Sequence, residues 1–145
     1  MSEVSQVNQY RVLFLCNANS ARSLMAEALL NHIEGNRIAA FSAGVEPDRP
    51  HERTLEALHH LGIDTEGLAS EPLEHYAGQY FDAVIILCDK AKQHCRDWEG
   101  AAGEVVYWDI PDPRLSEDPN AYRKALREIR GRLQLWVDAK LRKLD

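Results

Sequence analysis

Apolar runs and amphipathic segments alternate along this chain of 145 residues. Four short runs are nearly all apolar, which is typical of strands buried on both faces of a parallel sheet. They cover residues 10–15, 38–43, 81–87 and 105–108. The alternation of strand and helix predicts an α/β fold, a three-layer sandwich with a four-stranded parallel sheet.

The segments between the strands predict helices, because apolar residues recur there every three or four positions. The first helix runs from Leu24 to a stop at Gly35. The second begins with Pro50 in its first turn, buries a stripe that includes Leu61, and is capped by Gly62. Further helices are predicted within residues 73–80, over 89–98 and from about 120 to 144, where an internal glycine costs ~1 kcal/mol relative to alanine.

Composition indicates one soluble domain over residues 1–145, with residues 1–9 as a flexible polar leader. The net charge of −6 argues against nucleic-acid binding. Residues 122–143 carry eight Lys or Arg against two Asp or Glu, which fits a solvated helix face or a docking surface for an acidic partner. No apolar run approaches the ~18 residues of a membrane span. We expect a monomer.

The chain has three cysteines, Cys16, Cys88 and Cys95. An odd count without a signal peptide favours a reducing, cytoplasmic location, and reactive thiols over structural disulfides.

Cys16 ends the first predicted strand, and Arg22 and Ser23 stand at the start of the first helix. Small residues at a helix N-terminus offer backbone N–H groups to an anion, and an arginine fork can grip two of its oxygens. The same field favours the thiolate of Cys16, to which Ser23 could donate a hydrogen bond. We therefore predict that Cys16 is a nucleophile facing a tetrahedral oxyanion. The predicted oxyanion-binding residues are Asn17, Ala18, Asn19, Ser20, Ala21 and Arg22, with Asn19 also bracing the loop through a positive φ.

Other polar residues follow other predicted strands. Cys88 comes after the third strand and Asp112 after the fourth, so both should reach the rim that carries Cys16, at the carboxyl ends of the strands. Asp112 precedes a rigid proline and is the predicted general acid that protonates a departing oxygen. Asp109 competes for that role, or acts only in a turn.

Cys88 and Cys95 are seven residues apart. A helix would separate them by ~10 Å, whereas a disulfide needs Cα atoms within ~7 Å. A bond between them therefore requires the segment to unwind, and oxidised and reduced forms should differ around residues 88–98. Two unrelated thiols, or a metal site that includes His94, remain alternatives.

Cys16–Ser23 resembles the phosphate-binding loop of the low-molecular-weight protein tyrosine phosphatase superfamily. Residues 24–29 are more similar to its arsenate reductase branch. Residues 41–44 and 61–63 also match, and residues 87–95 and 107–113 resemble arsenate reductases of the thioredoxin-linked type. The similarity spans about residues 12–133. It implies a phosphotyrosine phosphatase I-like fold with strand order 2-1-3-4.

The resemblance also implies a mechanism. Cys16 attacks arsenate while Asp112 protonates the leaving oxygen, Cys88 attacks Cys16 and releases arsenite, and Cys95 attacks Cys88. An external thiol reductant, thioredoxin or else glutaredoxin, would reduce the Cys88–Cys95 disulfide. No cofactor and no metal is implied.

Two differences from the superfamily pattern stand out. Ala18 occupies a position where family loops usually carry glycine, and Arg114-Leu115 follows Asp112-Pro113 where the phosphatases usually present tyrosines. Two other functions remain open. One is hydrolysis of phosphotyrosine or small phosphoesters through a cysteinyl-phosphate intermediate, and the other is a non-catalytic oxyanion sensor.

Overall fold

The structure, a computed structural model, describes residues 9–19, 21–87 and 101–144, the last four by backbone alone. Its centre is a parallel sheet of four strands in the order β2-β1-β3-β4, which confirms the predicted class and strand order. The strands are β1 (Tyr10–Cys16), β2 (Ile38–Gly44), β3 (Tyr80–Ile86) and β4 (Ala101–Tyr107).

Three α-helices and two short 3-10 helices complete the described part of the chain. The α-helices are α1 (Arg22–Glu34), α2 (Glu52–His60) and α3 (Ala121–Leu144), and the 3-10 helices are Leu73–Tyr76 and Pro113–Leu115. None of the helices in these ranges is both long and apolar enough to cross a membrane.

Protein covers both faces of the sheet, as consecutive residues of β1 show. Tyr10 packs against Trp136 of α3, with ring centroids 6.0 Å apart. Arg11 instead lies over the ring of Phe41, which packs against Tyr76 of the first 3-10 helix. Residues 12–15 between these layers are at most 1% exposed. Strand β1 therefore runs through the core and delivers Cys16 to the carboxyl edge of the sheet.

Several element boundaries differ from the prediction. Strand β4 starts at Ala101 rather than residue 105, because pairing with β3 recruits small residues that carry no strand pattern. Gly103 is one of them, and a Cβ there would lie 2.8 Å from the Tyr80 hydroxyl.

The predicted start of α2 and one residue of its predicted buried stripe are also wrong, whereas its predicted stop at Gly62 is confirmed. His51 caps the helix by accepting a hydrogen bond from the Arg53 N–H, so Pro50 precedes the helix instead of opening it. Leu61 follows the last helical residue and is 38% exposed, outside the buried stripe. Gly62 has φ +75°, as a left-handed helix stop requires. The helix predicted over 89–98 lies outside the described residues.

Candidate active site

The loop that follows Cys16 is held open by the connection between β2 and α2. Three successive loop carbonyls accept hydrogen bonds from that connection. A trans peptide points its N–H away from the preceding carbonyl, so the N–H groups of residues 17–19 face the opposite, inner side of the loop. The bonds run from Val45 N–H to Cys16 O (3.1 Å), from Glu46 N–H to Asn17 O (2.8 Å) and from Asp48 N–H to Ala18 O (2.9 Å).

Asn19 braces the loop as predicted. It has φ +50° and is the one non-glycine residue with positive φ in the described ranges. Its Oδ1 accepts from the Glu71 N–H at 2.8 Å, which fixes the orientation of the side-chain amide. Nδ2 then donates to Ser23 Oγ at 2.6 Å and to Ser42 Oγ at 3.0 Å. Ala18 does not have a positive φ, so its backbone conformation does not require glycine.

The nucleophile candidate receives the next hydrogen bond in this chain. Cys16 Sγ lies 2.8 Å from Ser23 Oγ, and Cys16 is 2% exposed. An ionised sulfur carries no hydrogen, so the Ser23 hydroxyl is the donor whenever Cys16 is a thiolate. The arrangement stabilises a negative charge on Cys16.

Gly44 makes room for the loop. A Cβ at this position would stand 2.7 Å from Asn17 O and 2.8 Å from Asn19 N, contacts that only a shift of the loop backbone could relieve. The Gly44 N–H donates to Glu71 O at 2.8 Å, and the Ser70 hydroxyl donates to Asn19 O. The loop is thus held between the end of β2 and residues 70–71.

Arg22 is the first residue of α1, and no side chain caps the N-terminus of that helix. Its Nη1 donates to Leu87 O at 3.2 Å and to Ile110 O at 3.0 Å, and its Nη2 lies 3.4 Å from Asp112 Oδ2. A guanidinium carries more N–H donors than these contacts use, so Arg22 retains donors for a ligand.

Asp112 lies against Arg22, whereas Asp109 is exposed. Burial alone would raise the pKa of Asp112. Hydrogen bonds from the Arg114 side chain and backbone, with the charges of Arg22 and Arg114, outweigh burial and lower this pKa below its ordinary value. Between these two arginines, the carboxyl group is ionised.

Glu27 of α1 closes the far end of the hydrogen-bond chain. The Ser42 hydroxyl donates to Glu27 Oε1 at 2.5 Å. Burial raises the pKa of Glu27 to about 7; the bond from Ser42 lowers it and the charge of Glu71 raises it further. A continuous hydrogen-bonded path therefore joins Glu27 to the thiol of Cys16.

Comparison with known protein families assigns the chain that carries this loop, thiol and buried arginine to one of them. The family model described as low molecular weight phosphotyrosine protein phosphatase matches residues 11–144. The chain belongs to this family.

Among curated members, a glutaredoxin arsenate reductase from Synechocystis sp. is 30% identical, with 93% of this chain and 98% of that protein covered. A solved arsenate reductase in the phosphate binding state has a TM-score of 0.76 at 25% identity, covering 90% and 98% of the two chains. A Corynebacterium glutamicum thioredoxin-dependent arsenate reductase has a TM-score of 0.70 at 27% identity, covering 97% of this chain and 66% of that one.

The structure brings part of the predicted site of this family member together. Cys16, Arg22, Ser23 and Asp112 meet at the carboxyl edge of the sheet, around the loop residues 17–19 and 21. Ser20, Cys88 and Cys95 lie outside the described residues, as does the alternative metal site with His94. Among the residues that are described, no group of three or more His, Cys, Asp or Glu side chains could hold a metal ion.

Sequence reasoning missed four residues of the site. Ser42 and Glu27 lie in segments that match the family, and their spacing gives no sign that they touch. Ser70 donates to Asn19 O although it lies 51 positions further along the chain, so no local sequence pattern predicts this contact. Arg114 did have a local signal, because an aspartate before Pro-Arg can accept from the N–H two residues on, as Asp112 does at 3.0 Å.

Proposed function

We propose that this chain reduces arsenate to arsenite through a cascade of three thiols. The observation that carries the proposal is the Ser23 hydroxyl 2.8 Å from Cys16 Sγ, beside Arg22 and a loop whose N–H groups are free to bind an anion. A thiolate at such a loop is positioned to attack the central atom of a tetrahedral oxyanion. The similarity to proteins named arsenate reductases supports arsenate as that oxyanion.

In the first step, the Cys16 thiolate attacks arsenic and an As–O bond breaks. The departing oxygen leaves as water, with a proton from Asp112, and a Cys16–arsenic adduct remains. The inward N–H groups of the loop and the guanidinium of Arg22 stabilise the oxygens of this adduct.

In the second step, the Cys88 thiolate attacks the sulfur of Cys16 and the S–As bond breaks. Its electron pair stays on arsenic, so As(V) becomes As(III) and leaves as arsenite. The Cys95 thiolate then attacks Cys88, frees Cys16 and leaves a Cys88–Cys95 disulfide. Leu87, the residue before Cys88, contacts Arg22 through its carbonyl, which supports delivery of the second thiol to this site.

An external dithiol returns two electrons to the Cys88–Cys95 disulfide. The relatives point to two reductants, since one is named for glutaredoxin and another is thioredoxin-dependent. We propose thioredoxin for this chain and retain glutaredoxin as an outcome of the test.

Arsenate-dependent NADPH oxidation tests the cascade. Wild type, Cys88→Ser and Cys95→Ser are each assayed with thioredoxin and its reductase, and separately with glutathione, glutaredoxin and glutathione reductase. Wild type should turn over with thioredoxin, and each serine variant should lose multiple turnover. Cys16→Ser is the control, since it should abolish both arsenate reduction and phosphoester hydrolysis.

Turnover with the glutaredoxin system alone would leave the reductase assignment standing and contradict thioredoxin. The family description favours phosphoester hydrolysis as the second candidate function. Hydrolysis of p-nitrophenyl phosphate that survives both Cys88→Ser and Cys95→Ser, with no arsenate turnover in wild type, would establish it. Oxyanion binding without either activity would establish a sensor.

A further inference from the structure

Two arginines share the carboxylate of Asp112. Arg114 Nη2 lies 3.0 Å and Arg22 Nη2 3.4 Å from the same oxygen, Oδ2. Arg114 Nε also lies 3.2 Å from Oδ1 and 3.3 Å from Oδ2, so its fork grips both oxygens. Two cations and one anion leave a net positive charge beside the loop.

The two arginines are held very differently. Two backbone carbonyls fix Arg22, and its side chain is 8% exposed. The side chain of Arg114 is 30% exposed, and its hydrogen bonds and ion pair among the described residues are to Asp112. Arg114 can therefore leave Asp112 without breaking any other of these contacts, whereas Arg22 cannot.

The charge of Arg114 also acts on the candidate nucleophile. Hydrogen bonding to Asp112 raises the pKa of Arg114, burial lowers it, and the charges of Asp112, Cys16 and Tyr122 raise it. The guanidinium thus belongs to the same electrostatic environment as Cys16.

We propose that Arg114 is a second oxyanion-binding arginine, which transfers its fork from Asp112 to a small tetrahedral dianion held in the loop. This inference rests on the proposed function, since it concerns the oxyanion of that reaction. A dianion such as arsenate or phosphate offers two charged oxygens to a planar fork, as the carboxylate does. An ester carries an organic group on one of these oxygens, so it offers fewer charged oxygens to the Arg114 guanidinium.

Transfer of Arg114 from Asp112 to the dianion would also allow Asp112 to act as the general acid. While Arg114 holds Asp112, the carboxyl group stays ionised and has no proton to give. Loss of the three side-chain hydrogen bonds from Arg114, with a dianion close by, increases the affinity of Asp112 for a proton. Arrival of the substrate would then create the acid that the first step needs, and only when a doubly charged ligand is present.

The affinity of the protein for inorganic phosphate tests the role of Arg114 directly and requires no turnover. Inorganic phosphate is titrated against alkylation of the reduced protein by iodoacetamide, and modification of the Cys16 peptide is followed by mass spectrometry. Removing a charge-assisted contact in Arg114→Gln should weaken phosphate binding about tenfold, and Arg114→Lys, which keeps the charge without the fork, should weaken it ~3-fold. Arg127→Gln on α3 is the matched control for loss of one exposed charge and should leave the affinity unchanged.

A second background separates direct contact from an effect through Asp112. Asp112→Asn removes the competing carboxylate and should tighten phosphate binding several-fold. In that background Arg114→Gln should still weaken binding about tenfold or more. No effect of Arg114→Gln there would overturn the proposal, because Arg114 would then act only through Asp112. An equal loss in Arg127→Gln would overturn it too.

The same preparations are assayed for arsenate turnover. If wild type fails to turn over but the affinity pattern holds, the proposed function fails and the role of Arg114 stands. If wild type turns over and the affinity pattern is missing, the role of Arg114 alone fails.

Discussion

Ser23 Oγ lies 2.8 Å from Cys16 Sγ and accepts a hydrogen bond from Asn19 Nδ2, so a Cys16 thiolate has a hydroxyl donor that is itself held in place. The orientation of Asn19 is set outside this group of residues. Glu71 N–H binds Asn19 Oδ1, so the amide has only N–H groups left to offer Ser23 and Ser42. A backbone amide 52 residues further along the chain thereby orients the side chain that holds Ser23 beside the thiol.

Ser23→Ala should slow alkylation of Cys16 at neutral pH by about tenfold, because the sulfur loses the donor that stabilises its thiolate. The rate of iodoacetamide modification, followed against pH on the Cys16 peptide, measures the effect. Ser116→Ala, at a serine whose hydroxyl caps Asp118 N–H, is the control and should react as wild type does. Equal rates in the two variants would contradict the assigned hydrogen-bond direction.

Replacement of Asn19 should separate its side-chain bonds from its backbone conformation. Asn19→Gly keeps φ near +50° but loses three hydrogen bonds, and should cost about 2–3 kcal/mol of unfolding free energy. Asn19→Ala should cost ~1 kcal/mol more, because alanine resists a left-handed backbone. Urea unfolding of the three proteins gives both numbers, and equal stability of the Gly and Ala variants would exclude backbone strain at this position.

Glu27 should make the fold less stable as pH rises. Burial lifts its pKa from 4.5 to about 7, so the folded chain binds the proton more tightly than the unfolded chain does. Its contribution is complete below pH 4.5, falls by at most ~1.4 kcal/mol per pH unit, and is lost as pH passes the folded value. Glu27→Gln is neutral at every pH and can still accept from Ser42, so it should remove this decline.

Urea unfolding at pH 5, 6, 7 and 8 tests this dependence. Glu66→Gln is the matched control, because Glu66 is an exposed carboxylate. Wild type and Glu66→Gln should lose stability in parallel between pH 5 and 7, while Glu27→Gln stays flatter. Parallel curves for all three proteins would show that Glu27 is already ionised at pH 5.

Gly44→Ala should abolish oxyanion binding, since its methyl group would displace the backbone at Asn17 and Asn19. Gly131→Ala is the opposite control. A Cβ at Gly131 meets nothing within 4 Å, and alanine should stabilise α3 by about 0.5–1 kcal/mol. Protection of Cys16 from alkylation by phosphate measures oxyanion binding in both variants, and thermal unfolding measures their stability. A Gly44→Ala protein that binds phosphate normally would show that the loop backbone can shift without loss of oxyanion binding.

The core of the fold was predictable because its signals are local. The apolar runs at β1 and β3 and the glycine stop at Gly62 carry their patterns in the sequence itself. The early start of β4 was not, since residues 101–103 have no strand pattern and pair only because β3 lies beside them.

The candidate site also contains residues that local sequence patterns predict and residues that they do not. The positions of Cys16, Arg22 and Ser23 follow from a strand that leads through a loop into a helix. Hydrogen bonds from Arg114 keep the predicted acid Asp112 ionised. They form only because the Arg114 side chain points towards Asp112, and the sequence does not determine that orientation. The contacts of Ser70 and Glu71 with Asn19 join segments that are remote in the chain, and only the complete fold reveals them.

Those remote contacts give the thiol a dependence on folding. The bonds that orient Asn19 come from residues 23 and 52 positions later in the chain, so the hydrogen-bond network around Ser23 is complete only after β2 and residues 70–71 have docked. On a nascent or damaged chain Cys16 is an ordinary cysteine with an ordinary reactivity. The reactivity of Cys16 therefore depends on the intact fold, because the long-range contacts of Asn19 hold the Ser23 hydroxyl and the loop backbone around its sulfur.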